Sequence, residues 1–134
     1  MNEPLVSQTT LRVRYAETDA MGVVYHANYL IWFEAGRGDF FRVMGQDYGA
    51  WEEAGYMLPV AEAYARYHAP ARYGDLVTVH TWIKSQKSRG ISLSYKVTCE
   101  SDGTTLVTGW TKHLCVDRDG RVRRLPQEFA TFLT

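Results

Sequence analysis

Apolar and polar residues alternate from Thr9 to Tyr15, with Leu11, Val13 and Tyr15 on one side and Thr10, Arg12 and Arg14 on the other. A period of two predicts a strand with one buried face. The segment AETDAMGVVYHAN follows, and its Thr18, Asp19, Gly22 and Asn28 are turn and cap residues, which predicts a loop feeding a helix. From about Asn28 to Met44 the spacing becomes helical, with apolar residues over most of the circumference. A helix apolar nearly all round is expected to be buried. Gly36 and Gly38 lie inside it and cost about 1 kcal/mol each against alanine. Close approach of another backbone, such as a sheet wrapped around the helix, is the expected compensation. Gly45 ends this helix, and Gln46 to Ala54 reads as a short second one closed by Gly55.

The remainder reads as strands: Met57 to His68, Leu76 to Lys84, Ile91 to Glu100 and Leu106 to Val116. Turns are expected at Ala69-Pro70, Tyr73-Gly74-Asp75, Ser101-Asp102-Gly103 and Asp117-Arg118-Asp119-Gly120, the last leading into a short strand. Pro126 starts a final predicted helix with Phe129 and Leu133 as its contacts. A strand, a long buried helix and then consecutive strands predict an α+β fold, an antiparallel sheet with one helix packed on it.

Composition narrows the function. With 134 residues, 46% apolar and 22% charged, residues 1–134 are expected to form a single domain. Fifteen basic residues balance fifteen acidic ones, which argues against a dedicated nucleic-acid or anionic-membrane binder. Zero net charge also suits a protein that self-associates. No apolar run approaches the roughly 20 residues that cross a bilayer, so no membrane insertion is expected. MNEPLVSQTT lacks a basic start followed by an apolar stretch, and Cys99 and Cys115 are the only cysteines. Both features predict a cytoplasmic, reduced protein.

Nucleotide-binding and nucleophile-elbow motifs are missing, and His26, His68, His80 and His113 show no metal-ligand spacing. No metal or redox cofactor is expected. His113 and Cys115 read as packing residues. The loop from Ala16 to Asn28 is the exception, because it holds Glu17, Asp19, Tyr25 and His26 directly before the long helix. A helix N-terminus offers unpaired N–H groups to an oxyanion, and a carboxylate beside it could attack a carbonyl or activate water. Locally, Asp19 reads equally as a turn or cap residue. Glu34 is expected to pair with Arg37 or a neighbouring strand, and Lys87-Ser88-Arg89 reads as a solvated hairpin turn.

The stretch RVRYAETDAMGVVYHANYLIWFEAGR resembles the signature of the 4-hydroxybenzoyl-CoA thioesterase family of hotdog-fold acyl-CoA thioesterases. The matching elements are Asp19, Gly22, Val23-Val24-Tyr25 and Asn28-Tyr29, with Pro70-Ala71-Arg72 and Asp75 downstream. The Asp-Ala-x-Gly-Val-Val-Tyr-His form is most similar to thioesterases associated with the Tol-Pal system. The resemblance implies a hotdog fold, a curved antiparallel sheet of about five strands around one central helix, with Gly36 and Gly38 as contact points under the sheet. It implies hydrolysis of an acyl-CoA to free acid and CoA, with coenzyme A entering only as part of the substrate. Asp19 matches the catalytic carboxylate, as nucleophile or as base. Gly22 would keep the loop tight. His26 would supply an oxyanion-hole backbone N–H. Tyr25 would line the acyl pocket or pack as a core tyrosine. Tyr56, Met57 and Pro59 would form pocket wall, against a neighbouring subunit, or core. Lys87, Ser88 and Arg89 would hold CoA phosphates. A homodimer or homotetramer with the site at the subunit junction is implied. Nine tyrosines and four tryptophans favour an aromatic acyl group such as hydroxybenzoyl or dihydroxynaphthoyl, with a short aliphatic one also open. The alternatives are a hydratase, whose motif is absent, and a non-catalytic CoA-ester or aromatic-ligand binding module on the same fold.

Overall fold

The helical spacing that begins at Asn28 forms helix α1 (Asn28–Val43), ended by Met44 and by Gly45 at φ +74°. A computed structural model describes residues 5–127. In chain order the other elements are β1 (Ser7–Arg12), a short 3-10 turn (Tyr15–Glu17), α2 (Tyr48–Glu53), β2 (Val60–Tyr67), β3 (Leu76–Lys87), β4 (Gly90–Cys99) and β5 (Thr105–Leu114). The strands form one five-stranded sheet in the order β1-β3-β4-β5-β2, and every neighbouring pair is antiparallel. This is the expected α+β, hotdog arrangement. Phe129 and Leu133 of the expected final helix lie outside the described residues.

The sheet grips α1 through a few close contacts. Phe33 stacks face to face on Tyr95 of β4, with ring centroids 4.3 Å apart. Its ring edge also fills the space a side chain would take at Gly109 of β5, where an added Cβ would lie 2.8 Å from Phe33 Cε2. At Gly36 a Cβ would come within 2.7 Å of Val79 Cγ1 and 2.6 Å of Thr81 Oγ1 on β3. Gly36 therefore sits under the sheet as expected.

Gly38 does not. Among the described residues, a Cβ there would meet only the Arg42 guanidinium, at 3.6 Å. Helical geometry explains the difference, because positions two apart lie about 200° apart around the axis. The burial expected for the whole helix is also corrected. The sheet covers one side, so Tyr29, Trp32, Phe33, Phe40 and Phe41 are buried while Leu30, Ile31 and Val43 are exposed. β1 begins and ends earlier than the alternation suggested, and Tyr15 lies in the 3-10 turn, edge-on to Tyr73.

A buried polar chain crosses the inner face of the sheet. Arg37 Nη1 donates to Tyr95 Oη (3.4 Å), Tyr95 Oη contacts Thr111 Oγ1 (2.6 Å), and Thr111 Oγ1 contacts His113 Nε2 (2.8 Å). His113 Nδ1 then reaches the Leu58 carbonyl at 2.9 Å. That carbonyl can only accept, so Nδ1 carries the proton and Nε2 accepts from Thr111. Thr111 in turn accepts from Tyr95. Burial pushes the His113 pKa down to about 4, which keeps the ring neutral. His113 is thus a packing residue, as expected, and a hydrogen-bonded one. Cys115 is buried beside it on the same strand run.

Two outcomes follow from these contacts. Gly36→Ala gains helix propensity but overpacks against Val79 and Thr81, and overpacking of this kind costs about 1–3 kcal/mol; the expected net result is a lower thermal midpoint by calorimetry. His113 binds its proton less readily folded than unfolded, so its contribution to stability is full above the unfolded value of 6.5 and is lost as pH falls from there towards 4. The midpoint should drop across that window, and His113→Gln should flatten the drop.

Candidate active site

The loop between the 3-10 turn and α1 folds around Glu17. This residue is 5% exposed. Its carboxylate accepts from the Arg14 backbone N–H (2.8 Å) and from Trp32 Nε1 of α1 (2.8 Å), and Arg14 Nε lies 3.5 Å away. Its backbone carbonyl accepts from Tyr25 N (2.9 Å) and from Asn28 Nδ2 (2.8 Å). Both ends of the loop and the start of the helix therefore meet at one residue. The loop motif displayed Glu17, but nothing in the local spacing marked Trp32 as its partner.

Within that frame Asp19 to Gly22 makes a tight turn. Asp19 N donates to Val23 O (2.9 Å), Gly22 N donates to Asp19 O (3.0 Å), and Gly22 sits at φ +79°. A side chain at Gly22 would meet nothing within 4 Å, so the left-handed backbone is what calls for glycine there. Asp19 Oδ1 accepts from Met21 N at 2.8 Å, and Oδ2 has no partner among the described residues. Asp19 is thus the turn residue that its local sequence suggested, with one carboxylate oxygen uncommitted among the described residues.

The helix start lies beside this turn. Ala27 occupies the cap position without any side-chain cap. Neither His26 nor Ala27 donates its backbone N–H to another described residue. Two backbone N–H groups without a described acceptor thus stand at the positive end of α1. Tyr25 is exposed and rests on the His26 ring, with centroids 4.5 Å apart, so its packing reading is corrected. Tyr67 at the end of β2 donates to His26 O at 3.2 Å and stands edge-on to Tyr29.

The other predicted residues gather at the opposite end of the sheet. Lys87, Ser88 and Arg89 form the β3–β4 hairpin tip and are exposed. A hollow of about 400 Å³ opens there, lined also by Lys84, Trp110 and Lys112. Lys84 Nζ lies 4.5 Å over the Trp110 ring, while Lys112 pairs with Glu62 at 3.3 Å. Met57 bridges to Val116, Tyr56 stacks under Arg123 with its guanidinium 3.8 Å from the ring, and Pro59 is exposed. At roughly 3.3 Å per residue, β3 separates the two ends by more than 30 Å. One chain therefore brings Asp19, Gly22, Tyr25 and His26 together, and separately the 56–59 segment with the hairpin, but does not join the two groups. Glu34 is exposed and makes no ion pair among the described residues, which corrects its expected pairing.

Among the described residues no group of three or more His, Cys, Asp or Glu side chains could hold a metal. No helix there is long and apolar enough to cross a membrane.

Comparison with known proteins identifies the family. YneP of Bacillus subtilis is 38% identical over 114 residues, covering 85% of this chain and 82% of its own. The acyl-CoA thioester hydrolase YbgC of Escherichia coli is 30% identical, covering 80% and 79%. The crystal structure of the DHNA-CoA thioesterase from Staphylococcus aureus superposes with a TM-score of 0.88 at 34% identity, covering 95% of this chain and 85% of that one. A family model described as the thioesterase-like superfamily matches residues 13–133, and the chain belongs to that superfamily.

Proposed function

We propose that this chain, as a single domain, is an acyl-CoA thioesterase that hydrolyses a CoA thioester to the free acid and CoA. The observation that carries the reading is the pairing of a half-free Asp19 carboxylate with the unpaired His26 and Ala27 N–H groups at the start of α1. These are the two components that thioester hydrolysis requires. As base, Asp19 takes a proton from water while the new C–O bond forms at the thioester carbonyl. The oxyanion is held by the N–H groups, the C–S bond breaks, and the thiolate leaves and takes up the proton. As nucleophile, Asp19 forms a mixed anhydride with loss of the thiolate, and water then cleaves it. A donor to the oxyanion is worth about 3 kcal/mol of barrier. Neither route draws on a metal or redox group. Two buried free thiols, Cys99 and Cys115, support work in the reducing cytoplasm.

The working unit in this reading is at least a dimer. β2 is an edge strand with seven of its eight residues exposed, and long open edges call for a partner. A two-fold axis pairs β2 with its copy antiparallel. That places the Tyr67 end of one strand beside the Val60 end of the other. The Asp19 loop of one protomer then faces the 56–59 segment and basic hairpin of its partner, which joins the two half-sites that one chain holds apart. Lys87 and Arg89 are the cations for the CoA phosphates in this arrangement. The acyl group is aromatic or short-chain.

Asp19→Asn should leave the thermal midpoint close to wild type and remove most thiol release from benzoyl-, naphthoyl- and butyryl-CoA; near-normal turnover refutes Asp19. Thermal stabilisation by these esters without any thiol release would instead identify a binding module. Replacing Lys87 and Arg89 together by alanine should raise KM more than it lowers kcat, because the contacts lie far from the reacting carbon. Light scattering should give at least the mass of two 15.3 kDa chains, and an active monomer overturns the composite site.

A further inference from the structure

Tyr67 closes the edge strand β2, and its hydroxyl reaches the start of α1. Side chains alternate along a strand, so Ala63, Ala65 and Tyr67 share one face of β2 while Tyr64 stacks on Trp110 across the other. After two small alanines the Tyr67 ring stands edge-on to both Tyr29 and His26, with centroids 5.5 Å and 6.3 Å away. Tyr29 is buried and itself fixed, since its Oη accepts from Ala71 N at 3.1 Å. Tyr67 therefore leans on a rigid neighbour while its Oη donates to the His26 carbonyl at 3.2 Å. Among the described residues the only other donor to that carbonyl is Tyr29 N, at a long 3.3 Å. A carbonyl oxygen has two lone pairs, so it takes both. Of the carbonyls of Tyr25, His26 and Ala27, only that of His26 accepts from a side chain among the described residues.

We propose that Tyr67 is a positioning residue for the hydrolysis, holding the His26–Ala27 peptide towards the developing oxyanion and strengthening the Ala27 N–H as a donor. The inference rests on the thioesterase reading, with His26 and Ala27 as the oxyanion donors. A carbonyl that accepts a hydrogen bond draws electron density along its own peptide, and linked hydrogen bonds polarise one another. The N–H of the peptide whose carbonyl belongs to His26 is that of Ala27, so the Tyr67 bond makes this proton more positive. The Tyr67 hydroxyl and the oxyanion then bracket one peptide at its two polar ends. A neutral thioester oxygen feels a stronger donor little and an oxyanion feels it fully, so the gain belongs to the transition state. Placement matters as well. Ala27 has no side-chain cap, and without Tyr67 the peptide carbonyl keeps only the 3.3 Å contact of its own helix turn. Tyr67 is 48% exposed, so little of the stability depends on its hydroxyl.

The test is Tyr67→Phe, which keeps the ring against Tyr29 and His26 and removes only the hydroxyl. With benzoyl- and butyryl-CoA, kcat should fall roughly five- to tenfold, the worth of one neutral hydrogen bond, while KM stays near that of the wild type. S-benzyl-CoA, a thioether without a carbonyl oxygen, should bind both proteins equally. In NMR spectra of the free protein the Ala27 amide proton should move upfield by more than that of His26, a readout independent of turnover. The thermal midpoint and the mass in solution should match the wild type. A rise in KM as large as the fall in kcat, or weaker binding of S-benzyl-CoA, overturns the proposal, because either marks a misshapen site and not a weakened donor. So does an Ala27 amide proton that stays in place, or a mass falling to one chain, which would make Tyr67 a subunit contact. Brisk wild-type hydrolysis with kcat unchanged in Tyr67→Phe defeats this inference alone. Absence of thiol release from every ester in the wild type defeats the thioesterase reading, and the inference falls with it.

Discussion

Helix α1 packs against the sheet with no room for a side chain at Gly36, and the rest of the molecule depends on that closeness. Gly36 lets the helix backbone settle against Val79 and Thr81, and Gly109 lets the Phe33 ring press into β5. With the axis held there, Phe33 stacks on Tyr95 and the aromatic core forms around it. The same placement orients the start of α1. Trp32, one position before Phe33, reaches back to Glu17 and ties the loop to the helix. Core packing and site geometry are thus set by one contact line, and a shift of α1 would move the His26 and Ala27 N–H groups relative to Asp19.

Much of this was legible along the chain because the deciding forces are local. Alternation from Ile91 to Cys99 corresponds to a strand whose burial alternates residue by residue. Gly45, Gly55 and Gly103 adopt the positive φ that their positions as element ends suggested. The Asp19-to-Gly22 turn is likewise specified by nearby residues. Local pattern failed where a partner came from far away. Gly36 and Gly38 look alike in sequence, and only the angle between them around the helix shows that both cannot face one sheet. Glu17 needed Trp32, fifteen residues on, and Leu58 needed Tyr48 and His113. The helix looked fully buried because its apolar residues encircle it, whereas one chain covers only one side.

Under the proposed reading the two ends of the sheet divide the chemistry. Negative charge is handled at both: an oxyanion at the helix start, and phosphates at the basic hairpin under the proposed reading. A net charge of zero hides this, since four of the fifteen cations, Lys84, Lys87, Arg89 and Lys112, gather at one tip. In the proposed dimer the open β2 edge links the halves across two chains, so in that reading the exposed strand belongs to the same design as the divided site.

The buried chain from Arg37 to Leu58 also limits what it can carry. Arg37 can only donate and the Leu58 carbonyl can only accept, so the hydroxyl and imidazole protons between them have a single permitted arrangement. A proton wire needs a chain that can reverse its polarity after each transfer, and this one cannot. It works as a strut.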